Sequence, residues 1–136
     1  MNYWLVKSDP DTYAWDHFAK EKQTSWDGIR NYAARIHLRS MKKGDKVLFY
    51  HSGGESEIVG LATVTKEFYQ DPTINDDAWV SVGLKAGKKF AKNISLKEIK
   101  ADKRLQNMLL IKISRLSVMP VTEDEYNIIL DLSEKK

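Results

Sequence analysis

A chain of 136 residues predicts one domain built around a single core. Its 42% hydrophobic and 30% charged residues, with only 7 Gly and 3 Pro, exclude disorder except at the tail. With no cysteine, disulfides, thiolate zinc sites and a cysteine nucleophile are all excluded. The first ten residues have no basic region followed by an apolar one, and no stretch approaches a membrane span of about 20 apolar residues. The expectation is a cytoplasmic chain, neither secreted nor embedded.

The net charge of +3 is weakly basic, and its distribution is more informative than its size. Arg30, Arg35, Arg39, Lys42, Lys43 and Lys46 crowd one stretch, a second runs from Lys85 to Arg104, and Glu123 to Asp131 is acidic. A polyanion-binding face would produce such a field, and so would a solvated lysine-rich surface.

In chain order, Tyr3 to Lys7 is aromatic and β-branched and stops at the turn-prone Ser8-Asp9-Pro10-Asp11, which predicts a buried first strand. Trp15, Phe18 and Ala19 share a helical face over Thr12 to Lys20, with Asp9, Asp11 or Thr12 as candidate caps. Thr24 to Ser40 reads as an amphipathic helix. Projection at about 100° per residue puts Ile29, Tyr32, Ala33, Ile36 and Ser40 on its packing face, beside a polar stripe of Asn31, Arg35 and Arg39. Leu38 falls outside that apolar face.

Met41 to Asp45 is a turn into the strand Lys46 to Tyr50, which forms a predicted hairpin with Ile58 to Tyr69 across a flexible loop, His51 to Ser56. Ala78 to Leu84 alternates as a strand, and Gly87 to Phe90 starts a further edge strand. Ser95-Leu-Lys-Glu98 and Thr122-Glu-Asp-Glu125 are capping boxes, flanked by the staple pairs Ile94/Ile99 and Val121/Tyr126, and each opens a helix, the second running through Leu132. Leu116 to Val121 is strand-like but broken by Pro120. Short strands with helices inserted between and around them predict an α+β fold with a small, partly closed mixed barrel.

His17, His37 and His51 are scattered, without HxH or HExxH spacing, so no metal is expected. A triad of Ser117, His51 and Asp27 can be assembled on paper, but no GxSxG elbow positions the serine. Gly53-Gly54 lacks the context of a phosphate-binding loop, and no cofactor is expected. Among the aromatic residues, Trp4, Trp15 and Phe49 read as core. Trp26, in the polar turn Thr24-Ser25-Trp26-Asp27-Gly28, reads equally as a core residue or a site residue.

Tyr3-Trp-Leu-Val-Lys-Ser-Asp-Pro10, Trp26-Asp-Gly-Ile-Arg-Asn-Tyr32, Ala34-Arg35, Met41-Lys-Lys-Gly-Asp45, Val47-Leu-Phe-Tyr-His-Ser52, Ile58-Val-Gly60 and Arg115-Leu-Ser-Val-Met-Pro-Val121 closely resemble the EVE domain family. These motifs occur in order from Tyr3 to about Leu130. Ala33, where the family often has Gln, and Ile36-His37, in place of a more polar pair, depart from the pattern. The resemblance implies a PUA-like fold related to YTH and ASCH domains, in one domain over residues 1–136. It also implies recognition of modified bases in nucleic acid, with 5-methylcytosine or 5-hydroxymethylcytosine in DNA as the expected partner.

Flipping a base costs a few kcal/mol, and stacking on one aromatic ring returns about 1–3 kcal/mol, so polar contacts must supply selectivity. In that scheme Trp26 stacks on the base, Asp27 accepts from the cytosine N4 amino group, and Asn31 with Ser8 or His51-Ser52 meets the ring edge. Tyr50 and Val118 would wall a C5 methyl group, and Ser117 would meet a hydroxymethyl group. Arg30, Arg35 and Arg39 would take phosphates, unless local carboxylates such as Asp27 or Asp45 pair with them; Lys7 and Arg115 read equally as phosphate-binding or structural. Two competing functions share these residues: a PUA-like RNA-binding module, and a small enzyme on modified nucleobases using His51 or Asp27 as acid or base.

Overall fold

The computed structural model describes residues 1–53 and 55–134; Gly54, in the loop expected over His51 to Ser56, lies outside the described residues. Six strands, β1 (Tyr3–Ser8), β2 (Gln23–Trp26), β3 (Lys46–His51), β4 (Glu57–Gln70), β5 (Val80–Ser95) and β6 (Val118–Val121), form one mixed sheet in the order β2-β5-β4-β3-β1-β6. The β1–β3 pair is parallel, with Lys7 opposite Tyr50 and Ser8 opposite His51, and every other ladder is antiparallel. Five helices join them: α1 (Trp15–Glu21), α2 (Tyr32–Ser40), α3 (Leu96–Ala101), α4 (Leu109–Lys112) and α5 (Glu123–Glu134). This is a mixed α+β architecture. Its ladders end at β2 and β6, so strand pairing leaves the sheet open instead of supplying the closed barrel ring.

Apolar residues of the inner strands supply the core, with Leu5, Val47, Leu48, Phe49, Ile58, Val82 and Leu84 fully buried. Asp45 is buried at the entry to β3, where it accepts hydrogen bonds from the Trp4 indole (2.9 Å) and the Lys42 backbone N–H (2.9 Å). One carboxylate thereby ties the first strand to the turn before the third. Gly60 permits the closest approach in the core, since a Cβ there would lie 2.7 Å from the Trp15 ring. Pro120 sits in β6, an edge strand, where a missing backbone donor is tolerated.

Both capping boxes form: Ser95 with Glu98 opens α3, and Thr122 with Glu125 opens α5. Four other expectations need correction. The helix over Thr12 to Lys20 starts only at Trp15, and none of the candidate caps closes it. Gly87 to Phe90 is no separate edge strand but the middle of β5, which pairs with both β2 and β4. The stretch from Thr24 is not helical throughout: Thr24 to Trp26 belong to β2, and α2 begins at Tyr32, capped by the Asn31 side chain on the Ala34 N–H (2.9 Å).

The packing face of α2 is also reversed. Ala34 and Leu38 are fully buried, whereas Tyr32 is 68% and Ile36 59% exposed. The helix carries two apolar stripes, and the sheet buries the narrow one, Ala34, Leu38 and the following Met41. The wider stripe faces outward with the arginines.

Candidate nucleic-acid interface

Two strands far apart in the ladder order meet at one cavity. Lys7 and Ser8 end β1, Thr24, Ser25 and Trp26 end β2, and β5, β4 and β3 lie between the two strands in the sheet. Both sets line a cavity of about 340 Å³, together with Asp9, Thr12, Tyr13, Asp27 and Ile29. A sheet can bring β1 and β2 to a common cavity only by curling strongly, which right-handed twist accumulated over long strands provides. The volume lies at the small end of ligand sites, suited to a single ring system.

Trp26 is both a core residue and a wall residue. It is 7% exposed and packs edge-on against Phe49 (5.7 Å between ring centroids) and Tyr13 (6.1 Å). Tyr13 donates its hydroxyl to Glu21, and burial together with that carboxylate pushes its pKa up to about 12. The phenol therefore stays neutral.

Asp27 is held by hydroxyls. Its Oδ1 accepts from Ser25 Oγ and from the buried Ser81 Oγ (2.8 Å), and Tyr69 adjoins Ser25 in the same chain. Its Oδ2 takes no hydrogen bond from the described residues, which leaves an anchored carboxylate with a free acceptor at the cavity wall. The next turn is fixed as firmly. Gly28 has φ +79°, a left-handed conformation natural to glycine, and its N–H donates to Asp71 Oδ2 (2.8 Å). Fully buried Asp71 also accepts from Arg30 Nη1 (2.9 Å) and from the Thr73 backbone N–H (2.7 Å) and hydroxyl (2.6 Å).

Of the residues singled out from the sequence, Lys7, Ser8, Trp26 and Asp27 are brought together at this cavity. Ser8 donates to the Tyr13 carbonyl, and the Lys7 amine to the Ser114 carbonyl (2.7 Å), with burial lowering the lysine's pKa. Ser52 and Ser117 make backbone links at the same end of the sheet, Ser52 N–H to the Ser8 carbonyl and Lys7 N–H to the Ser117 carbonyl. Tyr50 and Val118 are buried inside the sheet and do not line the cavity, whose wall is made instead by Tyr13, Thr12 and Ile29 among others. Asn31 spends its side-chain oxygen on capping α2. Arg30 pairs with Asp71 rather than with Asp27 or Asp45, Arg35 and Arg39 donate to the carbonyls of Ala78 and Asp77, and Arg115 is exposed.

His51 sits in a separate small cavity of about 140 Å³ with Trp15, Asp16, Glu57 and Lys89. Its Nε2 accepts the Trp15 backbone N–H (3.0 Å), satisfying an otherwise orphaned donor of the first turn of α1. Burial lowers its pKa, opposed by the nearby Glu57 and Asp16 carboxylates. With the folded-state value below the ordinary 6.5, the unfolded chain takes up the proton first on acidification. The contribution of His51 to stability is therefore full above about pH 6.5 and lost as pH falls below it. Melting temperatures followed between about pH 7.5 and 5.5 should fall, and His51→Gln should flatten part of that slope.

Sequence reasoning missed Tyr13, Ser25 and Ser81 as supports of the cavity, and Asp71 as the anchor of its rim. Nothing in local spacing marks Asp71, 43 positions from Gly28. Among the described residues no group of three His, Cys, Asp or Glu could hold a metal ion, and no helix is long and apolar enough to cross a membrane.

The EVE domain family model matches residues 2–132. Thymocyte nuclear protein 1 of Homo sapiens is 34% identical over 169 aligned residues, covering 99% of this chain and 75% of that protein. Among solved structures, a protein from Agrobacterium tumefaciens is 40% identical with a TM-score of 0.95, over 98% of this chain and 94% of that one. Human THYN1, crystallised in complex with 5-methylcytosine-containing DNA, is 31% identical with a TM-score of 0.93, over 100% of this chain and 99% of that one.

Proposed function

Because this chain belongs to the EVE domain family, we propose that it is a non-enzymatic nucleic-acid-binding module. In this reading it takes a flipped modified base, 5-methylcytosine or 5-hydroxymethylcytosine in DNA, into the cavity between the ends of β1 and β2. The curled sheet is on this reading the PUA-like barrel, with the cavity at its mouth. The complex of human THYN1 with 5-methylcytosine-containing DNA supports the choice of ligand.

The observation that carries the proposal is the anchored Asp27 carboxylate beside two aromatic rings. A cytosine stacked on Trp26 presents its N4 amino group as a donor, and Asp27 Oδ2 is a free acceptor. Because Ser25 and Ser81 already orient the carboxylate, little side-chain entropy is lost on binding. Tyr13 and Ile29 supply apolar contact for a C5 methyl group, and Thr12 a hydroxyl for a hydroxymethyl group. Lys7, at the cavity edge, and Arg115, exposed near the same end of the sheet, contact the phosphates.

The test is titration with matched oligonucleotides carrying C, 5-methyl-C or 5-hydroxymethyl-C at one position, made as DNA and as RNA. Tighter binding of a modified DNA is expected; equal affinity for every DNA cytosine would sink the reading, and preference for the RNA series would replace it with an RNA-binding one. Asp27→Asn keeps an acceptor oxygen but loses the charge, so it should weaken the preferred ligand by about 1–2 kcal/mol, or roughly five- to thirtyfold, with little change in melting temperature.

A further inference from the structure

The outward stripe of α2 is an organised surface. Tyr32, 68% exposed, lies 5.3 Å from Trp79 between ring centroids, and the Arg35 guanidinium sits 4.9 Å from the centre of each ring. Arg30 approaches the same Trp79 ring at 5.6 Å, and Arg39 lies 5.4 Å from the ring of Phe68, itself 46% exposed. Two arginines that touch no carboxylate among the described residues, Arg35 and Arg39, thus lie within 5.4 Å of the centres of surface aromatic rings and are tied to the carbonyls of Ala78 and Asp77.

An aromatic ring left two-thirds in water contributes little to the core. Here the ring is nevertheless in contact with both a tryptophan and a guanidinium. A largely exposed ring beside uncompensated guanidinium groups is the arrangement that stacks an unpaired nucleobase while its phosphates meet the arginines. Base stacking of this kind is indifferent to base identity, because every base has a π-face. The surface also adjoins the cavity: Ile29 lines the cavity, and only about 11 Å of extended chain can separate it from Tyr32.

We infer that Tyr32 and Trp79, with Arg35 and Arg39, form a second nucleobase-binding position outside the cavity, a shelf that stacks an unpaired base of the bound strand without regard to its identity or modification. This rests on the reading of the chain as a nucleic-acid binder, but not on recognition of a modified base.

The probes are an unmodified single-stranded deoxyoligonucleotide of mixed sequence and the blunt duplex of the same sequence. Tyr32→Ala should weaken the single strand by about tenfold or more, Tyr32→Phe should restore it, and the duplex should change little. Arg35→Gln should reduce the slope of log affinity against log salt for the single strand by about 0.7, the share of one phosphate. The ratio of affinities for modified and unmodified duplexes should be unchanged in Tyr32→Ala. The shelf is overturned if the unaltered protein does not bind the single strand, if Tyr32→Ala binds it normally, or if single strand and duplex weaken equally. Absence of discrimination by the unaltered protein, with the Tyr32 effect intact, would instead overturn the cavity reading and leave the shelf standing.

Discussion

Trp26→Ala is expected to lower the melting temperature by about 10–20 °C and at the same time to abolish discrimination between modified and unmodified cytosine. Trp26 is buried against Phe49 and Tyr13, and emptying a large aromatic site typically costs about 3–5 kcal/mol. In a domain of this size each kcal/mol moves the midpoint by about 3–5 °C. On the proposed reading, the loss of discrimination follows from the loss of the ring that would stack on the base. Because one substitution strikes both properties, Trp26→Phe is the informative partner: it refills most of the core space and leaves a smaller stacking face. Calorimetry and titrations on the three proteins separate the effects. A Trp26→Ala protein that melts within a few degrees of the parent would show that the ring carries no weight in the core.

Asp71→Ala should be nearly as damaging, although Asp71 does not line the cavity. Its carboxylate collects the Gly28 N–H, the Arg30 guanidinium and both donors of Thr73. Removing it leaves the Gly28 and Thr73 N–H groups and Arg30 without their acceptor, for a loss of about 2–4 kcal/mol. It also frees the turn that follows Trp26 and Asp27, so affinity for the preferred oligonucleotide should fall with stability, whereas Asp71→Asn should keep part of both. Burial alone would raise the pKa of Asp71, but the hydrogen bonds from Arg30 and Thr73 outweigh it and hold the carboxyl well below its ordinary 3.8. Its stabilising contribution is therefore complete above that value and is lost only as pH falls toward the depressed one, so it adds no slope in the range where His51 titrates. A normal melting temperature with unchanged affinity in Asp71→Ala would show that the rim holds without its anchor.

Strands, turns and both capping boxes were legible in the sequence because their causes are local. Short aromatic and aliphatic runs make β1 and β3, a β-branched one makes β4, and Ser95 with Glu98 or Thr122 with Glu125 satisfies the donors of a first turn from within four residues. Where two local signals competed, periodicity alone chose badly. α2 offered an apolar stripe through Tyr32 and Ile36 and a narrower one through Ala34 and Leu38, and the sheet beneath decided for the second. The short β2 was hidden for a related reason: Gln23 to Trp26 has no strand pattern of its own and is extended because β5 pairs with it. At the cavity, Trp26 and Asp27 were visible through their unusual chemistry at a turn. Their supports Ser81 and Asp71 were not, since hydrogen bonds across 54 and 43 positions leave no trace in spacing.

The pairing of β2 with β5 also sets when the cavity can exist during synthesis. Gln23 to Trp26 find their strand partner in Lys85 to Val82, and the rim waits for Asp71. A nascent chain that has emerged only as far as β3 therefore carries Lys7, Ser8, Trp26 and Asp27 but cannot yet arrange them, and long-range contacts of this kind are closed late and slowly. The cavity is therefore assembled only after the β4–β5 hairpin has left the ribosome, and Lys7 gains its Ser114 and Ser117 partners later still.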